Sequence, residues 1–174
     1  MNQFYRTIIF ILCMGLASAA PPALDIGYAD MLQTLDAIAE NLSASADQLE
    51  GLKAKMADMA MASTNYDEQK NIYLAAVLTV STVAAICSYE SELLTLFTDL
   101  RPKNRQYYLD VRQQSLQASI QQLQIMHSQM KINEKLLNLT GKEKNIFEKA
   151  PRVTMAAVDL LNQADSLVAD FRSR

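Results

Sequence analysis

The chain has 174 residues, with 16 Lys and Arg against 19 Asp and Glu, one histidine, two cysteines and a formal net charge of −3. Length allows one domain with a real core, and the mild acidity disfavours nucleic acid as a partner, because phosphate binding wants a concentrated excess of Lys and Arg. Four glycines, four prolines and a single histidine leave no material for a phosphate loop, a His-rich metal site or a nucleophile elbow.

The amino terminus carries Arg6, an apolar run from Ile8 to Leu16, then Ala17, Ser18, Ala19 and Ala20. A charged, then apolar, then small-residue order is the pattern of a secretory signal, expected to be cleaved after Ala19. The apolar stretch is too short for a permanent span, which needs about 20 residues. Losing Arg6 takes the net charge from −3 to −4, and leaves residues 20–174 as a single exported domain in the periplasm or outside the cell. Cys87 is then the only thiol, so no internal disulfide can staple the fold. In the apolar run from Leu74 to Ser88 it is expected to act as a small buried hydrophobe.

Three stretches share a seven-residue period: Leu35, Leu42, Leu49, Met56; Leu109, Leu116, Leu123, Met130, Leu137; and Ile146, Val153, Leu160, Leu167. Such a repeat specifies long helices packed along apolar seams. The first helix is predicted over 24–63, with Pro22 and Asp25 suiting its first turn. Its seam alternates steps of three and four through Tyr28, Met31, Leu35, Ile38, Leu42, Ser45, Leu49, Leu52, Met56 and Met59. Ser63, Thr64 and Asn65 break it, Asn65 with Glu68 forming an amino-terminal cap for the next.

The second helix, 66–100, differs in kind, for nothing from Asn71 to Tyr89 is charged and apolar side chains fall on every face. The expectation is a helix enclosed by the other three, with Ala75, Ala76, Thr79, Ser81, Thr82, Ala84 and Ala85 allowing close approach. The alternative is membrane contact or insertion through 71–89, since the run is long enough to span, and Arg101, Lys103, Arg105 and Arg112 follow it. The paired acids Glu90 and Glu92, like Asp67 and Glu68, do not share a helical face and are expected to be solvated.

Pro102 punctuates the start of a third helix, 103–138, in which Ile120, Met126 and Ile132 widen the apolar face. Arg112, Ser119 and Asn133 fall in its d positions, where polar residues set register at some cost in stability. Eight glutamines between Gln106 and Gln129 cover the rest. Thr140 and Glu143 form a capping box opening the fourth helix, 142–172, where Ala150, Ala157 and Ala164 permit close packing and Pro151 bends the helix or delays its start. Short connections make consecutive helices antiparallel, so the fold class is all-α, an up-down-up-down four-helix bundle with long coiled-coil-like helices.

Met56, Met59, Met126, His127 and Met130 fall at similar heights on the first and third helices and are the residues that could meet as ligands for Cu(I) or haem. Methionine filling gaps in a helical core explains them more simply, so no metal or cofactor is expected. The function expected is therefore not enzymatic. The sequence points to an exported interaction or scaffold protein that binds a protein partner or forms a homo-oligomer, against the alternative of a membrane-associated protein using 71–89. Segment charges of −5 for 21–65, −4 for 66–100, +4 for 101–138 and +1 from 139 on guide which helix packs beside which.

Overall fold

Heptad leucines become buried rows. In the computed structural model, which describes residues 26–62, 67–100 and 105–173, four helices form: α1 (Ile26–Ala62), α2 (Asp67–Leu100), α3 (Arg105–Leu137) and α4 (Gly141–Arg172). There are no strands among the described residues. The leader assigned to 1–19, Pro22 and Asp25, the Ser63–Asn65 cap and Pro102 lie outside the described residues. Leu35, Leu42, Leu49 and Met56 of α1 and Leu109, Leu116, Leu123, Met130 and Leu137 of α3 are all buried. Each such side chain contributes about 1.5–3 kcal/mol on leaving water.

Helices adjacent in the chain pack against each other, and α1 closes the ring on α4, while α1 and α3 lie across a diagonal without close backbone approach. Cross-helix contacts fix the directions. Ser91 Oγ donates to the Ala39 carbonyl at 2.7 Å and Thr98 donates to Asp36, so α2 descends as α1 ascends. Thr154 of α4 meets Met130 of α3, whereas Arg172 at the end of α4 binds Asp110 at the start of α3, with Nε to Oδ1 at 2.6 Å. Tyr28 and Phe171 stack with centroids 5.2 Å apart where α1 begins and α4 ends.

Three expectations are corrected. The core row of α4 is Phe147, Ala150, Thr154, Ala157, Leu161, Ala164 and Val168; Ile146, Val153, Leu160 and Leu167 flank it, half-buried. Small alanines on the centre line let the neighbours approach, so the branched residues are displaced to the flanks. Ile132 does not widen the core face of α3 but stands 56% exposed. Thr140 does sit at the amino-terminal cap of α4 in an extended conformation, yet its hydroxyl makes no bond to the helix. Gly141 adopts φ +60 at the junction, a left-handed turn that a reciprocal cap on a regular first turn does not accommodate. The helix runs on through Pro151, which is buried within it.

Charge is unevenly spread along the length of the bundle: one half holds lysines and acids in near balance, with Asp47, Glu50, Asp58, Glu68, Glu134, Glu143 and Glu148 among the acids, and the other is acidic. The eight lysines of the described helices (Lys53, Lys55, Lys70, Lys131, Lys135, Lys142, Lys144 and Lys149) all lie in the half containing the α1–α2 and α3–α4 junctions. The other half holds Asp30, Asp36, Glu40, Glu90, Glu92, Asp99, Asp110, Asp159, Asp165 and Asp170.

Leu116→Asp is expected to unfold the domain, since a carboxylate has no partner at that fully buried position, whereas Gln121→Asp on the exposed face of α3 should leave the helical circular dichroism and the melting transition near those of the parent.

Candidate interaction face and the ion pair behind it

The expectation that α2 is enclosed on every side is corrected. Its core side is buried through Tyr73, Ala76, Thr79, Val80, Val83, Ala84, Cys87, Glu90, Leu94 and Phe97. The opposite side is open: Leu74 is 49%, Leu78 69% and Tyr89 59% exposed, with Ala75, Thr82 and Ala85 exposed between them. A helix in a square of four touches two neighbours and the centre, so a third of its circumference stays outside, and here that third carries no charge from Asn71 to Tyr89. Of the small residues expected to ease close packing, Ala76, Thr79 and Ala84 do so, while Ala75, Thr82 and Ala85 belong to the open face.

Behind that face stands a buried polar cluster. Glu90, expected to be solvated, is 0% exposed; Glu92, two positions on, is exposed as expected. The reason lies across the seam on α3, where the Arg112 guanidinium, itself buried, pairs with Glu90 Oε2, and Ser119 Oγ donates to Glu90 Oε1 at 2.6 Å. Arg112 Nη1 also approaches Ser115 Oγ at 3.4 Å, while Arg112 Nε and Asn133 Nδ2 find no acceptor among the described residues. Three of the polar core positions on α3 are thus those in its d frame, and two of them converge on a single carboxylate. The pair gains little net stability over apolar side chains of the same shape, but breaking it strands a charge in the core.

Cys87 lies buried one turn before Glu90. Burial, reinforced by the negative charge of Glu90, pushes its thiol from the ordinary 9.0 up to about 12. It remains protonated and unreactive at neutral pH, which agrees with the reading of a small buried hydrophobe. Burial next to Glu143 likewise raises the Tyr73 hydroxyl above its usual 10.0, and the Tyr73 ring stacks edge-on with Phe147 at 5.7 Å.

Met56 and Met130 are core residues, Met59 and Met126 pack partly buried against the core, and His127 is half-buried on α3. Met130 Sδ accepts a bond from Thr154 Oγ1 at 3.4 Å. The backbones of α1 and α3 do not approach each other closely, and among the described residues no three of His, Cys, Asp and Glu gather as metal ligands. A surface hollow of about 270 Å³ between Lys135, Asn138 and Lys144, and another of about 260 Å³ between Asp30, Thr34 and Asp170, lie at opposite ends of the bundle.

Arg112→Met is expected to lower stability by about 3–5 kcal/mol by leaving Glu90 unpaired, and Glu90→Leu combined with Arg112→Met should recover most of that loss, as read by urea unfolding. A second test concerns Cys87. Its raised pKa means that the thiol takes nothing from folding stability below pH 9.0, and that stability is lost as the pH climbs toward about 12, because only the unfolded thiol ionises in that window. Relative to Cys87→Ala, the parent should therefore lose stability across that range, and its native thiol should resist alkylation at pH 8 until denaturant is added.

No family model, characterised protein or solved structure matches the chain. The side chains themselves carry the functional reading.

Proposed function

We propose that the protein is an exported, non-enzymatic scaffold of the cell envelope or extracellular space, acting by binding a protein partner or by assembling with itself. In this reading residues 1–19 are removed as a secretory signal, and residues 20–174 form an up-down-up-down four-helix bundle whose working parts are its lateral helix faces. One observation carries it: an uncharged, apolar face on α2, with Leu74, Leu78 and Tyr89 open to solvent, on a bundle whose core is already filled. Exposed apolar surface rimmed by polar residues is characteristic of interaction sites. The polar groups that could do chemistry, Glu90 and Ser119, are instead enclosed and bonded to each other, which supports a structural role for them.

A second reading has its own support. The stretch Glu68–Leu100 is long and apolar enough to cross a membrane. Insertion would strand Glu90 and break its pairing with Arg112, a cost of several kcal/mol that burial in the bundle does not incur.

Fractionation of producing cells, together with a photo-crosslinking residue at position 78, separates the two. The scaffold reading expects the protein in the soluble exported fraction with protein adducts from position 78. Retention in carbonate-washed membranes, with no protein adduct, would instead assign the segment to lipid.

A further inference from the structure

The open face of α2 is bounded by charge in an asymmetric way. Lys70 precedes it and Glu92 follows it; both are exposed and neither forms an ion pair among the described residues. Between them the surface is uncharged, because Glu90 turns inward. Large residues occupy the first part of the face (Leu74, Leu78), and Ala85 and the single aromatic Tyr89 the second.

We propose that this face is the contact surface of a two-fold symmetric dimer, in which α2 of one copy lies antiparallel to α2 of a second, with the axis between Ser81 and Thr82. The inference rests on the scaffold reading above and names the partner as the chain itself. In this register Leu78 stands level with Ala85 of the second copy and Leu74 with Tyr89, so large residues face small or planar ones, the condition for interdigitation. Lys70 comes level, within one residue, with Glu92 of the second copy. Both sit to the same side of the contact line on the helix, at 100° per residue, so symmetry closes this pair twice. Parallel pairing would set Glu92 against Glu92 and Leu78 against Leu78.

The whole molecule favours the same arrangement. The axis falls near the middle of α2, so an antiparallel partner lays its near-neutral, lysine-bearing half beside the acidic half of the first copy, whereas a parallel one would set the two acidic halves together. A membrane is a poorer occupant, because docking onto anionic headgroups wants cations at both ends of an apolar stripe, and here one end is Glu92. One helix pair buries less than the roughly 800 Å² per partner of a standard interface, so the dimer is expected to be concentration-dependent.

Sedimentation of the purified protein over a dilution series should show a shift from dimer to monomer mass. Leu78→Glu should remain monomeric throughout with unchanged helical circular dichroism, the site being exposed. Lys70→Glu or Glu92→Lys alone should weaken association about fivefold, and the combined exchange should restore it. Thr82→Cys should oxidise to a covalent dimer. Leu74→Cys should do so only when mixed with Tyr89→Cys, and the parent, whose Cys87 is buried, should not. A monomer at every concentration, self-linking of Leu74→Cys, or monomeric binding to phosphatidylcholine–phosphatidylglycerol vesicles that Leu78→Glu abolishes would each overturn the dimer. Adducts from position 78 in cells to a different protein, with no dimer, would overturn it while leaving the scaffold reading standing; no protein adduct at all would remove both.

Discussion

A carboxylate with no exposed surface constrains how this bundle can be put together. Glu90 can be buried only where a cation meets it, and the one that does is Arg112 on the neighbouring helix, with Ser119 taking the second oxygen. That requirement fixes the rotation of α2 about its axis and its height against α3 at once. A shift of one residue would swing the carboxylate by about 100° and leave two buried charges unpaired. Apolar contacts alone would not discriminate so sharply, since leucine, valine and alanine tolerate one another in many registers.

The outward face of α2 is a consequence of that setting. With Glu90, Cys87, Val83, Val80 and Ala76 directed inward, Leu78, Thr82, Ala85 and Tyr89 have no place but the surface. The helix that looks most like a core element in composition thus presents an uncharged face to water. A polar cluster that costs stability and an apolar face that costs solubility are two ends of one choice.

Much of the architecture was legible in the sequence because heptad spacing reports directly on which positions share a helical face. The rows on α1 and α3 are buried as their period implies, and the helix ends agree within two or three residues. On α4 the period was right and the frame was one residue off, because hydrophobicity picks out Ile146, Val153 and Leu160 whereas steric access favours the alanines beside them. On α2 the uncharged run has no periodicity to expose, so composition could not say which third faces out. The Glu90–Arg112 pair did leave a trace: an arginine at a d position demands a buried anion, and the acids toward the end of the preceding helix are the nearest in the chain. What hid it was judging Glu90 by its neighbour Glu92 in sequence, when the two point to different sides of the helix.

The order of packing around the ring also bears on how the molecule acquires its shape. Apart from α1 with α4 and a slight approach of α2 to α4, the helix pairs in contact join segments adjacent in the chain, so most of the contacts can form while the polypeptide is still largely open. Two hairpins, α1–α2 and α3–α4, can each zip from a short connection, and the entropy of closing a long loop is deferred to the moment when they meet. At that moment Arg112 and Glu90 must lose their water together. The desolvation of that pair therefore belongs to the meeting of α2 with α3 rather than to the winding of any helix.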